Sequence, residues 1–191
     1  MKNIDEIEIF KRYRTTLKNT SYDDTNREYM TESQLEVVDL DKVKEEYCSP
    51  LKLKEPPKSC DALYENNDEL FFIEFKNGKV LQYDVRKKIY DTILLFTDIV
   101  ECGISKTREN IRYILVYDKE KNKNNKDCGE YKNRNIQESE GFDSFSRSIS
   151  KLAKQEILRF KVGDFQNYLL KSVHTYTKEE FEEKLIKGME N

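Results

Sequence analysis

Between positions 70 and 76 the chain alternates side chains of two kinds: Phe71, Ile73 and Phe75 interleave with Phe72, Glu74 and Lys76. A period of two marks a strand, and it puts Glu74 and Lys76 on one side, about two residue rises apart. Upstream, Cys60, Ala62 and Leu63 around Asp61 read as the buried partner strand of a hairpin. The run 111–117 is β-branched and aromatic and predicts a central strand. Helical spacing is strongest over 81–102, where Val85, Ile89, Ile93, Phe96 and Val100 recur at three and four residues before Gly103, a natural stop. A first helix is expected over 4–17 on Ile7, Phe10 and Tyr13. Ser33 and Glu36 have the spacing of a capping box and predict a helix over about 33–47, and Thr177 and Glu180 predict a last one. Phe145, Ile149, Leu152 and Ile157 suggest a helix over 142–160, followed by an amphipathic or extended stretch over 165–173.

Turn formers fill 18–32, and Lys, Asn and Glu dominate 119–140, which is expected to be a mobile charged loop. The order helix, helix, strand, strand, helix, strand, helices predicts a single α+β domain. A central mixed sheet of few strands would be flanked by helices, and 141–191 would form a C-terminal helical extension.

Composition narrows the function classes. The 191 residues suffice for one real core, and charged residues make up 37% of them. No run of about eighteen apolar residues exists, so no membrane-spanning helix is expected. Acidic residues near Met1 stand where a signal peptide needs an apolar stretch, which makes the cytoplasm the expected compartment. Cys48, Cys60, Cys102 and Cys128 are scattered, and the chain has one histidine, so neither a disulfide framework nor a Cys/His zinc site is expected. The net charge of −3 argues against coating nucleic acid through the bulk field. Charge is uneven, however: residues 1–48 carry eight basic and twelve acidic side chains, whereas 104–135 carry nine and five. Phosphate-loop, dinucleotide and serine-hydrolase motifs are absent, and His174 has no visible catalytic partner.

The chemistry therefore rests on Asp61, Glu74 and Lys76. Two acids and a lysine at the end of a hairpin can hold a divalent cation and an attacking water, the requirements of phosphodiester hydrolysis. Removing one acid from such a pocket of like charges is expected to raise stability. Glu74 and Lys76 also fit the solvated face of an antiparallel strand, and Glu36 fits a purely local capping role.

The hairpin bearing Asp61 and Glu74-Phe75-Lys76, with the helix and strand that follow, resembles the core of the PD-(D/E)XK nuclease superfamily over roughly 33–118. Cys60 stands where that motif has proline. The resemblance implies a restriction-endonuclease-like core and Mg²⁺ or Mn²⁺ held by Asp61, Glu74, the Phe75 carbonyl and an acid of the preceding helix, Glu36 or else Glu45. It also implies Lys76 beside the attacking hydroxide, and Arg86, Lys87 and Tyr90 facing the substrate. That substrate would be nucleic acid, DNA ahead of RNA, with a homodimer where both strands are cut. The alternative is a non-catalytic binding protein, an immunity or regulatory factor that uses its acidic N-terminal third to engage a protein partner.

Overall fold

The computed structural model describes residues 4–66, 69–125, 131–132 and 157–186. Six strands form one mixed sheet: β1 (Arg14–Thr16), β2 (Glu36–Asp39), β3 (Ala62–Asn66), β4 (Glu69–Lys76), β5 (Ile111–Tyr117) and β6 (Ser172–Thr177), in that spatial order. The first four pair antiparallel, and β4–β5 and β5–β6 pair parallel. The expected single α+β domain with a mixed central sheet is what forms. Helices flank the sheet: α1 (Glu8–Arg12), α2 (Leu40–Cys48), α3 (Gln82–Ile99) and α4 (Ile104–Asn110).

Every residue of β5 and β6 is buried, as strands covered on both faces must be. On one face Phe72, Tyr113 and Leu115 pack with Val85, Ile89, Ile93 and Phe96 of α3. On the other, Phe71, Ile73, Ile114 and Val116 pack with Leu17, Met30 and Phe181. Each fully buried side chain of this size contributes about 1.5–3 kcal/mol. α3 ends earlier than the sequence suggested. Glu101 takes the left-handed conformation (φ 53°), and Glu101 and Cys102 donate back to Asp98 and Thr97, closing a Schellman turn before Gly103 is reached.

Several expectations are corrected. The helix expected over 4–17 breaks at β1, because Thr15 and Thr16 extend and pair with β2. No capping box forms at Ser33. Its hydroxyl accepts from Leu35, and Glu36 begins a strand; the helix starts only after Asp39, whose side chain accepts from Lys42. The end of the helix expected over 142–160 is instead a strand, Ile157–Leu158, paired with Tyr131–Lys132; 142–156 lies outside the described residues. The segment 119–140 opens with a helical turn, Lys119–Asn122, capped by Asp118; its remainder beyond 125, apart from Tyr131–Lys132, lies outside the described residues. Nor is 141–191 a helical extension, since β6 is the sixth strand of the main sheet. The second capping box does form: Thr177 accepts from the Glu180 N–H, and the Glu180 carboxylate accepts from the Thr177 N–H. Cys60 is buried, Cys102 packs against the core, and both are free thiols.

Candidate functional site

Asp61 stands one residue ahead of β3. Its backbone is fixed on both sides: its N–H donates to Ile73 O (3.1 Å), and its carbonyl accepts from Leu40 (3.2 Å). Its Oδ2 accepts from the Phe75 N–H at 2.6 Å. Glu74 projects from β4 toward α3 and is fully buried. Lys88, on α3, reaches both acids: Nζ lies 3.0 Å from Asp61 Oδ1, 2.9 Å from Glu74 Oε2 and 2.7 Å from Glu74 Oε1. Lys76 Nζ lies 2.9 Å from the same Oε1. Both approaches to Oε1 are ion pairs off the direction of a hydrogen bond.

Two acids and two lysines thus compensate one another at the end of the β3–β4 hairpin. Burial first, and the charge of Glu74 second, push the Asp61 carboxyl up to about 7, against the pull of Lys88 and the Phe75 N–H. Burial alone would lower Lys88, but Asp61 and Glu74 outweigh it and hold the ammonium protonated. Asp41 at the start of α2 borders the same space. Burial raises its carboxyl, but hydrogen bonds from Lys44 and Ser59, both 2.6 Å, bring it below the ordinary value.

Asp41, Asp61, Phe75, Lys76 and Lys88 line a cleft of about 510 Å³. Its far wall is the arm formed by Tyr22–Asp23 paired with Glu28–Tyr29. Asn77, directly after β4, donates to Asp23 (2.8 Å) and Glu28 (2.6 Å) and accepts from Lys121 (3.1 Å), tying the arm to the end of the sheet. Four carboxylates (Asp23, Asp24, Asp41, Asp61) and three lysines (Lys76, Lys79, Lys88) line this space. An anionic substrate meets no positive excess there unless a cation accompanies it.

The structure brings Asp61, Glu74, Phe75 and Lys76 together, and not the other expected residues. Glu36 is on a strand rather than a helix, exposed, with Arg14 at 3.5 Å. Glu45 is exposed on α2 and outside the cleft lining. Arg86 pairs with Asp164 (3.0 Å) and lies over the Phe165 ring, Lys87 faces Asp91, and Tyr90 packs edge-on against Phe165. These three hold the 162–165 turn (Val162–Phe165) and helix surface instead of lining the cleft. His174 is buried on β6 beside Ser172, 2.8 Å away, and does not line the cleft.

The residues the sequence reading missed are Lys88, Asp41 and Asn77. A helical phase anchored on Val85, Ile89 and Phe96 leaves Arg86 and Lys88 on opposite flanks of the apolar stripe. Only the path of residues 58–61 decides between them: Lys58 and Cys60 donate to Asp91 and Thr92 of α3, which brings the Lys88 flank over Asp61.

The donor set fits a small divalent cation. Two carboxylates converge, and a strand residue's carbonyl leaves from the same edge as its N–H, which for Phe75 is the edge facing Asp61. Mg²⁺ keeps several waters and needs no more than one or two carboxylates. Among the described residues no three His, Cys, Asp or Glu side chains gather into a closed cage, so waters would complete the shell. No protein family, curated protein or solved structure matches the chain. Among the described residues no helix is long and apolar enough to cross a membrane.

Proposed function

We propose that the chain is a metal-dependent phosphodiester hydrolase, a nuclease using Mg²⁺ or Mn²⁺. The observation that carries the reading is the convergence of Asp61, just ahead of β3, and Glu74 of β4, with two lysines within 3.0 Å of Glu74, beside a polar cleft that Asp61 and both lysines line. It agrees with the likeness of the Asp61…Glu74-Phe75-Lys76 hairpin to PD-(D/E)XK nucleases.

Asp61, Glu74 and the Phe75 carbonyl would hold the cation, which supplies neutralisation of phosphate charge and a bound water of lowered pKa. Lys76, partly exposed and already oriented by Glu74, donates to the negative charge that develops on the phosphoryl oxygens. Lys88 holds the two carboxylates in place before the cation binds and becomes a second cationic donor when released. A half-buried lysine pair compensating two acids is also compatible with a purely structural role, and the acidic N-terminal third would then serve a protein partner.

Cleavage of single- and double-stranded DNA and RNA by wild type, Asp61→Asn, Glu74→Gln and Lys76→Met in Mg²⁺ and Mn²⁺ separates the two. The hydrolase reading requires wild-type cleavage that each variant abolishes while retaining its fold. Cleavage unaffected by all three, or absent throughout, sinks it.

A further inference from the structure

Resting on the hydrolase reading, the geometry of the arm assigns a substrate class. We infer that the site takes single-stranded nucleic acid, with Tyr22 as a stacking platform for a base.

The first observation is depth. The cleft of about 510 Å³ lies between the arm and the end of the sheet, and Asp61 and Lys88 in its lining are only 15% and 16% exposed. Glu74 lies wholly buried behind them, paired with Lys76 and Lys88 of the lining.

The second is that the wall is tethered on two sides. Asn77 binds Asp23 and Glu28 at one end of the arm. At the other, Lys178 donates to Tyr29 O (3.0 Å), the Glu32 N–H donates to Glu182 (3.1 Å), and Met30 is buried in the core. A wall anchored to both the sheet end and the last helix sets the width of the cleft. A flexible single strand can thread a phosphate to the floor of such a space, and a rigid duplex cannot.

The third is chemical. Tyr22 lines the cleft and is 42% exposed, an aromatic ring packed at a tilt against Tyr29, whose ring centroid is 4.8 Å away. Base–aromatic stacking tolerates any sequence because every base has a π-face.

The test is fluorescence anisotropy of labelled oligodeoxythymidylate and of a labelled blunt hairpin duplex, with Ca²⁺ present, alongside cleavage of both in Mn²⁺. Wild type is expected to bind and cut the single strand in preference to the duplex. Tyr22→Ala should weaken single-strand binding by about 5- to 150-fold, the range that loss of one stacked base produces, while Tyr22→Phe keeps it. Equal or better binding and cutting of the duplex overturns this inference alone. So does a Tyr22→Ala protein that melts like wild type and binds the single strand equally well. Binding and cleavage of neither polymer, nor of labelled oligouridylate and a blunt RNA hairpin, overturns it together with the hydrolase reading.

Discussion

Lys88→Met deletes one charge from the four-membered network and keeps most of the stem that packs beside it. The ammonium it removes lies 3.0 Å from Asp61 and 2.7 Å from Glu74, whose side chains are 15% and 0% exposed. Two carboxylates then face each other with Lys76 alone to compensate them. Removing one partner of a buried pair costs about 3–5 kcal/mol, because the remaining charge is stranded away from water. In a chain of this size each kcal/mol shifts the Tm by about 2–4 °C, so the expected fall is about 6–20 °C. Asp61, already pushed up to about 7 with Lys88 in place, escapes by taking a proton. The deficit is therefore largest above neutral pH and shrinks as pH falls below the Asp61 value. Thermal melts followed by circular dichroism across that range measure it. Added Mn²⁺ should raise the Tm of the variant more than that of wild type, since the cation takes over the charge that lysine supplied. A variant that melts with wild type above neutral pH refutes the charge accounting, because the lysine would then be compensating nothing.

The remaining predictions concern pH and capping. Asp61 has its folded pKa raised from 3.8 to about 7, so the native state is penalised as pH rises through that window; Asp61→Asn should flatten the urea-midpoint slope there, and an unchanged slope contradicts the assignment. Glu69 behaves oppositely. Burial would raise it, but Arg112 and Lys171 pull it down to about 2, so its contribution is present above its ordinary value of 4.5 and is lost as pH falls toward 2. Glu69→Gln should cost about 3 kcal/mol at neutral pH, with the difference from wild type vanishing in acid; a pH-independent difference would point to packing instead. Thr177→Ala removes the accepting hydroxyl of the last capping box and should cost about 0.5–2 kcal/mol by urea unfolding, with no effect counting against the cap.

Much of the site was legible because its two strands carry strong local signals. Glu74 and Lys76 announce themselves by alternation within β4, and β5 by a β-branched and aromatic run that Arg112 alone interrupts. Where the sequence misled, tertiary pairing overrode a local pattern. Ser33 and Glu36 have capping-box spacing, yet Glu36 pairs with Thr16 in the sheet. β6 was obscured by its polar residues Ser172, His174, Thr175 and Thr177, which look like a loop. They are buried beside β5, where Arg112 donates to Ser172 and His174 lies against the same hydroxyl. The expectation that removing one acid would stabilise the pocket fails for a related reason. The sequence shows the like charges of Asp61 and Glu74 but not the ammonium of Lys88 between them, so Glu74→Ala leaves two half-buried lysines without their carboxylate instead of relieving repulsion.

Calorimetric titration of Mn²⁺ into wild type and Glu74→Gln decides whether these carboxylates hold a cation. Heat of binding is expected in the wild type and is lost in Glu74→Gln that is folded by circular dichroism. Binding retained by the variant, or absent from the wild type, would contradict a metal centre at Asp61 and Glu74.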